Sequence, residues 1–274
     1  MTMTQKMQDA FAMFYGMANS LTNLAKPVDM PAEKRVQRAK AVFLEKLDAD
    51  MAISLESCIH CGLCAQACHF YIGTQDAKYT PIRKLELLKR FYRREISPMR
   101  WLHQLYTADI TADDLMQWQE LVYDSCTECG RCSLICPMGI HIAEMVGVNR
   151  QAMAEAGLIP AELQAMQQAQ YEDGTIFGAG TELLEYKINE FNEQLGFKIP
   201  MDEEDSEIMV LTSGLDIHLF NDAMAGTAKI LNHLGVSWSF CSEAFEGANF
   251  GLLSGHEDTQ RKASSAIIQR AVSC

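Results

Sequence analysis

The sequence predicts a mainly α-helical chain that is followed by a partial α/β domain. Three observations support this fold class. Cysteines recur in two runs of the same spacing, at 58–68 and 126–136. Helix-start signals and apolar residues at helical intervals fill most of the segment between the two runs. After residue 207 the pattern changes to two short apolar runs typical of buried strands, with a helical pattern between them.

Two helices are predicted before the first cysteine run. In residues 7–24 apolar side chains recur at helical spacing, and the polar face carries few basic residues. We therefore expect this helix to pack on the protein or on a partner subunit, and not to lie on a membrane surface. Pro31 begins a second helix, over about 31–50.

Three helices are predicted between the cysteine runs. Thr80-Pro81 is a favourable N-cap and N1 pair for a helix that ends near residue 94. Ser97-Pro98 begins another helix. The sequence Thr111-Ala112-Asp113-Asp114 caps a third, which ends near residue 123.

Helical segments continue beyond the second run. The glycine-rich stretch 174–180 lacks the order of a dinucleotide-binding loop and follows no predicted strand, so we expect a turn there. The acidic residues 202–207 are expected to form a linker. The predicted helices are one over 142–156 that Gly157 ends, one that begins at Pro160, and one over 181–195.

The last segment is predicted to form one β-α-β-α unit. Strands over 208–212 and 236–241 flank a helix over 221–234, and helices over about 246–253 and 257–271 follow. Two parallel strands cannot cover both faces of their own sheet. We therefore expect this unit to be completed by missing sequence or by a partner.

The two cysteine runs are the strongest chemical signal in the chain. Each reads C-x2-C-x2-C-x3-C, which is the ligand run of a ferredoxin with two [4Fe-4S] clusters. In that arrangement the fourth cysteine of each run binds the other cluster, so the two clusters lie close enough to exchange electrons. The spacing predicts one cluster on Cys58, Cys61, Cys64 and Cys136, and a second on Cys126, Cys129, Cys132 and Cys68.

The long insert between the runs distinguishes this chain from small ferredoxins. A mostly helical insert is typical of an alpha-helical ferredoxin domain, the form that serves in electron transfer within larger redox enzymes. The other interpretations of the cysteines are structural zinc and a disulfide framework. Zinc sites use paired cysteines or a Cys/His mixture, and disulfide frameworks belong to small secreted chains, so both patterns match this sequence poorly.

Several residues near the runs carry separate expectations. His69 stands where proline usually follows the fourth cysteine, so the first loop is expected to have a different shape. Arg131 is either a surface arginine or a cation that raises the potential of the second cluster by favouring its reduced form. Cys241 and Cys274 belong to neither run and are expected to be ordinary free cysteines.

Charge and hydropathy limit the classes of partner. The net charge of −13 disfavours nucleic acid as a main partner. No stretch of about eighteen apolar residues occurs, so no transmembrane segment is expected. Thiolate ligands and the lack of an export signal predict a cytoplasmic protein. Residues 76–105 are rich in Lys and Arg, which indicates either a solvated face or a docking face for an acidic redox partner or for membrane headgroups.

The residues around both runs resemble a known family. The sequences CIHCGLCAQACHFYIGTQDAKYTPIRKLELLKRFYRRE (58–95) and CTECGRCSLICPMGIHIAEM (126–145) are similar to the iron-sulfur subunits of the heterodisulfide reductase family. Within that family they resemble the HdrD-type polypeptide of heterodisulfide reductase and the DsrK-type polypeptide of the complex associated with dissimilatory sulfite reductase. SEAFEGANFG (242–251) resembles the start of that family's cysteine-rich C-terminal domain.

Four segments are predicted on this basis. They are an N-terminal helical extension over 1–50, an alpha-helical ferredoxin domain over 51–157, a helical acidic connector over 158–206, and a partial α/β domain over 207–274. Members of the family carry C-C-G motifs further on, which are implied to hold a catalytic cluster that acts on disulfides. This sequence has no C-C-G motif, so the resemblance implies either a truncated chain or one product of a split gene.

The resemblance implies an electron-transfer subunit of a respiratory complex of sulfur or disulfide metabolism, held at the inner face of the membrane through partners. The implied partners are a membrane quinol-oxidising subunit, a C-C-G-bearing subunit or a flavoprotein. No catalytic residue is predicted, because no acid/base pair, nucleophile–His arrangement or nucleotide-binding loop is recognised. Two alternatives stay open: the iron-sulfur subunit of a flavin dehydrogenase for lactate, glycolate or glycerol 3-phosphate, and a structural or redox-sensing scaffold.

Overall fold

The computed structural model describes residues 28–176 and 180–273, which fall into two compact units. One unit, here called the cysteine unit, comprises 28–160 together with 253–256. The other, here called the C-terminal unit, comprises the described residues of 161–252 and 257–273. The helix predicted over 7–24 and part of the glycine-rich stretch lie outside the described residues.

The cysteine unit is built from helices and the loops between them. In chain order the helices are α1 Ala32–Lys46, α2 Ala49–Ser57, α3 Leu63–Ala67, α4 His69–Thr74, α5 Pro81–Lys84, α6 Glu86–Phe91, α7 Arg100–Tyr106, α8 Ala112–Gln119, α9 Arg131–Leu134 and α10 Ile142–Glu155. Turns of wider, π-helical geometry extend α6 over Tyr92–Ile96 and α8 over Glu120–Asp124.

Helices α1 and α10 form the main packing contact of this unit. Arg35 of α1 donates hydrogen bonds to the carbonyl oxygens of Ala156 and Gly157 at 2.7 and 2.9 Å, just beyond the end of α10. These carbonyls have no partner within the helix, so the guanidinium group both satisfies them and joins the two helices. Gly157 has a φ of +67°, the left-handed conformation expected of a helix stop.

The single helix predicted over about 31–50 is instead the pair α1 and α2. The backbone is extended at Leu47, and the carboxylate of Asp48 accepts a hydrogen bond of 2.8 Å from the Met51 N–H. An Asp at this position stabilises a new helix N-terminus better than the interior of a continuous helix. The local capping interaction therefore divides the predicted helix.

Helix starts in the insert mostly follow the sequence signals. Thr111 and Asp114 form a reciprocal capping box at the start of α8, as predicted. Pro81 occupies the first turn of α5, also as predicted, but the Thr80 hydroxyl donates to the Ala77 carbonyl and does not cap the helix. The helix predicted from Ser97-Pro98 begins slightly later, as α7.

The C-terminal unit combines helices with a small sheet. The strands are β1 Ile208–Val210 and β2 Trp238–Phe240, and they pair in parallel. The helices are α11 Ala161–Asp173, α12 Thr181–Leu195, α13 Gly214–His218, α14 Asn221–Leu234, α15 Phe250–Ser254, whose last two residues are counted in the cysteine unit, and α16 Glu257–Ser273. The predicted order of strand, helix and strand is confirmed.

Strand β2 is covered more completely than β1. All three residues of β2 are buried, whereas Ile208 of β1 is exposed. On its other side β2 bonds to an extended segment: the Phe240 N–H donates to the Pro200 carbonyl at 3.0 Å, and the Asp202 N–H donates to the Phe240 carbonyl at 2.8 Å. Asp202, the first of the acidic residues predicted as a linker, therefore lies beside the sheet. The buried core of this unit is formed by Leu184, Ile188, Phe191, Ile199, Ile217, Met224, Ala228, Trp238, Phe240 and Phe245.

The predicted fold class, mainly α with a small α/β part, is confirmed. The predicted segment boundaries at 50, 157 and 206 differ from the boundaries of the two compact units. The division into four segments stays a prediction. Among the described residues, no helix combines the length and the apolar character needed to cross a membrane.

Candidate cluster-binding site

The structure brings three cysteines of the first run together with one cysteine of the second. Cys58, Cys61, Cys64 and Cys136 line one cavity, here called the first cavity. Ile82, Ile140 and Ile142 are among the apolar side chains that complete its wall. These four cysteines are the set that the sequence assigns to one cluster.

The reciprocal set lines a neighbouring cavity, here called the second cavity. Cys126, Cys129 and Cys132 from the second run meet Cys68 from the first run there. The wall also includes Phe70, Lys84 and Val146. In the described part of the chain, no group of three or more His, Cys, Asp or Glu is placed to hold a single metal ion.

The two cavities are adjacent within the cysteine unit. The side chain of Ile142, at the start of α10, lines both of them. The short helices α3 and α9, which carry the third cysteine of each run, also contact each other. A donor set of four thiols around a cavity fits the one cysteine per iron that a [4Fe-4S] cluster requires, and adjacency suits electron exchange between two such groups.

Both cysteine runs adopt the same unusual backbone path. His60 and Glu128 precede the second cysteine of their runs and have positive φ angles of 53° and 51°. Gly62 and Gly130 follow that cysteine, with φ angles of 80° and 74°. Positive φ angles are strained for residues other than glycine. Such residues keep these angles only where the surrounding structure holds them there. The repeated path turns the cysteines of each run toward their cavity and starts α3 and α9.

The two runs diverge after their fourth cysteine, as the presence of His69 predicts. Helix α4 begins directly at His69, and the Ile72 N–H donates to the Cys68 carbonyl at 2.9 Å. After Cys136 the chain makes a turn instead, in which the Gly139 N–H donates to the Cys136 carbonyl at 3.1 Å. Only the second run has a proline directly after its fourth cysteine, at Pro137.

Burial makes several of the thiols weak acids. It raises the pKa of Cys132 to about 11 and also raises the pKa values of Cys64 and Cys126. Iron binds the thiolate, so these cysteines would have to lose their protons in order to hold a cluster. At Cys126 burial has the larger effect, and the nearby positive charges of Lys84 and Arg150 offset part of the rise in pKa.

Arg150 of α10 holds the second cysteine run in place. Its side chain is only 3% exposed, and it forms an ion pair of 3.0 Å with Glu128 inside the run. It also donates to the backbone carbonyls of Cys126, Val122 and Leu253. Burial raises the pKa of Glu128, while the guanidinium group opposes that shift. A buried charge satisfied on so many sides fixes the loop that carries the ligands.

Sequence reasoning missed the roles of Lys84, Glu128, Asn149 and Arg150. One signal could have found three of them. Lys84 shares a helical stripe with Pro81, Leu85 and Leu88, while Asn149 and Arg150 lie on the apolar stripe of α10, so each falls at a position that should be buried.

The Lys- and Arg-rich segment 76–105, here called the basic insert, is less accessible for docking than its composition suggests. Five of its eight cations are paired or buried, so the fold itself uses much of this charge. Lys78 pairs with Glu120, Arg83 with Glu86, Arg90 with Asp114, and Arg94 with Asp109 and the Thr107 carbonyl, while Lys84 is buried. Arg131 is exposed beside the second cavity. Cys241 is fully buried in the C-terminal unit, and Cys274 lies outside the described residues.

Comparison with known families supports a cluster-binding site. Residues 57–141 match the family described as 4Fe-4S dicluster domain. This range contains all eight cysteines of the two runs. It confirms the expectation of 4Fe-4S chemistry and favours iron-sulfur clusters over structural zinc.

Curated relatives extend the similarity to most of the chain. An Hdr-like menaquinol oxidoreductase iron-sulfur subunit 2 from Archaeoglobus fulgidus is 28% identical over 244 residues, which cover 81% of this chain and 43% of the relative. The corresponding protein from Archaeoglobus profundus is 27% identical, covering 80% of this chain and 42% of the relative. The HdrD polypeptide of the dihydromethanophenazine:CoB–CoM heterodisulfide reductase from Methanosarcina mazei is 24% identical, covering 76% and 48%.

The chain spans less than half the length of these relatives. No solved structure matches it. The predicted resemblance to heterodisulfide reductase-like iron-sulfur subunits is confirmed.

Proposed function

Because the chain is related to the heterodisulfide reductase-like iron-sulfur subunits, we propose that it transfers electrons through two [4Fe-4S] clusters within a complex of that kind. One observation carries the proposal: each of two adjacent cavities is lined by three cysteines from one run and the fourth from the other. The clusters supply reversible one-electron oxidation and reduction when bound. The chain itself supplies the thiolates, the apolar walls and the charges around them.

The proposed ligands of the first cavity are Cys58, Cys61, Cys64 and Cys136, and those of the second are Cys126, Cys129, Cys132 and Cys68. Crossed ligands have a mechanical consequence, because each run is tied to both clusters. The loops of both runs must therefore be folded before either site is complete. Apolar residues such as Ile82 and Ile142 exclude water from the cavities, which preserves the clusters and limits their solvent exposure.

We propose redox subunits as the partners, with a quinol-oxidising membrane subunit as the first candidate. The support is that two of the relatives are menaquinol oxidoreductase iron-sulfur subunits. A C-C-G-bearing partner and a flavoprotein are the other candidates. A cytoplasmic position at the inner face of the membrane suits this role, because the cysteine ligands must remain reduced until iron binds.

The comparisons favour this function over the two alternatives. The relatives that cover most of the chain are heterodisulfide reductase-like subunits, whereas a role beside a flavin dehydrogenase is supported only by the general cysteine pattern. A structural role for the clusters predicts centres that do not change oxidation state in the accessible range. The distinguishing property is therefore reversible reduction.

Anaerobic reconstitution of the full chain with iron and sulfide is the direct test. We expect about eight iron and eight sulfide per chain, and two one-electron reductions in a titration followed by electron paramagnetic resonance. Cys241→Ala is the matched control, because Cys241 lies outside both cavities, and it should bind the same amount of iron. Iron content near one atom per chain, or clusters that cannot be reduced, would contradict the proposal.

A further inference from the structure

The second cavity contains a buried positive charge. Lys84, at the end of α5, is only 2% exposed and lines the cavity beside Cys126 and Cys129. Its ammonium group donates a hydrogen bond to the carbonyl oxygen of Ser125, the residue before the first cysteine of the run. The Nζ atom also lies 5.2 Å from the ring centroid of Phe70.

The backbone of Lys84 is fixed by two buried side chains. Helix α5 ends at Lys84, so its carbonyl oxygen is free to accept other donors. The Trp118 Nε1–H donates to that oxygen at 3.3 Å and the Asn149 side-chain amide donates at 3.2 Å. Two donors from α8 and α10 thus hold the lysine at a defined depth in the wall of the cavity.

A buried ammonium group normally requires a negative partner. Removing a charge from water is costly unless another charge and hydrogen bonds compensate for it. In the described part of the chain no carboxylate forms an ion pair with Lys84, and its observed partners are a carbonyl oxygen and an aromatic ring. The group it faces is the set of four cysteines, which become thiolates when iron binds.

The two cavities differ in this respect. Lys84 and the exposed Arg131 belong to the wall of the second cavity, whereas the described wall of the first contains neither lysine nor arginine. A [4Fe-4S] cluster on four thiolates is an anion, and reduction adds one more negative charge. A fixed buried cation therefore stabilises the reduced state more than the oxidised state, and it acts on one cluster in preference to the other.

We propose that Lys84 is the counter-ion of the cluster in the second cavity. Its positive charge raises the reduction potential of that cluster above the value that the cluster would have without this lysine. This inference rests on the proposed function, since it concerns a cluster bound by Cys68, Cys126, Cys129 and Cys132. Reduction adds one electron to the cluster and neither forms nor breaks a bond to Lys84. Lys84 is a positioning and tuning residue and does not ligate iron.

The test is a redox titration of reconstituted full-length protein, with dithionite as the reductant and electron paramagnetic resonance as the readout. Lys84→Gln keeps a donor for the Ser125 carbonyl and removes the charge, while Lys84→Met removes both, so that failure of one variant to load leaves the other to be titrated. In either variant we expect one couple to move to lower potential by at least a tenfold change in its equilibrium constant, about 59 mV for one electron. Lys84→Arg should keep the wild-type potential.

Lys78→Met is the matched control, because it removes an exposed lysine of the same insert, and it should leave both potentials unchanged. The shifted couple should be the one whose signal changes in Cys129→Ala. Unchanged potentials in the loaded Lys84→Gln or Lys84→Met protein, or an equal fall in Lys84→Arg, would overturn the inference. Failure of the wild-type protein to show two reducible clusters would instead contradict the proposed function.

Discussion

Replacement of Cys136 by Ala is expected to impair the cluster of the first cysteine run, although Cys136 belongs to the second. Cys136→Ala should therefore lose the same paramagnetic signal as Cys61→Ala. Cys68→Ala should in turn match Cys129→Ala. The physical reason is that Cys136 lines the cavity of Cys58, Cys61 and Cys64, while Cys68 lines the other.

The expected magnitude is large because a cubane that lacks one of four thiolates is unstable or loses iron. In each variant, the cluster that keeps all four of its cysteine ligands is expected to stay bound. The iron content should therefore fall from about eight to about four atoms per chain. Anaerobic iron and sulfide analysis with low-temperature electron paramagnetic resonance measures both quantities. Should Cys136→Ala instead resemble Cys129→Ala, each run would hold its own cluster and the crossed assignment would fail.

The crossed arrangement explains which parts of the site the sequence could predict. The spacing of a cysteine run specifies a local loop, and local loops follow from a few residues such as Gly62 and Gly130 at positive φ. The pairing of distant cysteines could be predicted only because the spacing is typical of a well-known two-cluster arrangement. Helix ends were predicted where a single residue decides them, as at Thr111 and Gly157.

The charged residues were harder to predict because their roles depend on tertiary contacts. From the sequence, Arg131 was a candidate for tuning the second cluster and Lys84 was only one of the cations of the segment 76–105, yet Lys84 is buried in a cavity wall and Arg131 is exposed to water. Water and salt screen an exposed charge, so Arg131 is expected to affect the cluster potential less than Lys84. The same reasoning makes the basic insert a weaker candidate for a docking face, because Arg90 forms an ion pair with Asp114 and Arg94 forms one with Asp109.

Arg150→Met is expected to destabilise the cysteine unit more than any exposed charge substitution. Arg150 is 3% exposed and its partner Glu128 is 12% exposed, so removal of the guanidinium group leaves a buried carboxylate without a counter-charge. The carbonyl oxygens of Cys126, Val122 and Leu253 lose a donor at the same time. Breaking a buried pair in this way costs about 3–5 kcal/mol of unfolding free energy.

The measurement is the urea midpoint of the anaerobic holoprotein, followed by circular dichroism and by loss of the visible cluster absorbance. Arg38→Met is the matched control, since its pair with Glu155 is long and exposed, and it should change the midpoint little. Adding Glu128→Gln to Arg150→Met should recover part of the loss, because the orphaned charge is then removed while the side-chain shape is kept. Equal midpoints for Arg150→Met and Arg38→Met would show that the loop of the second run is held by the cysteine ligands and not by this buried pair.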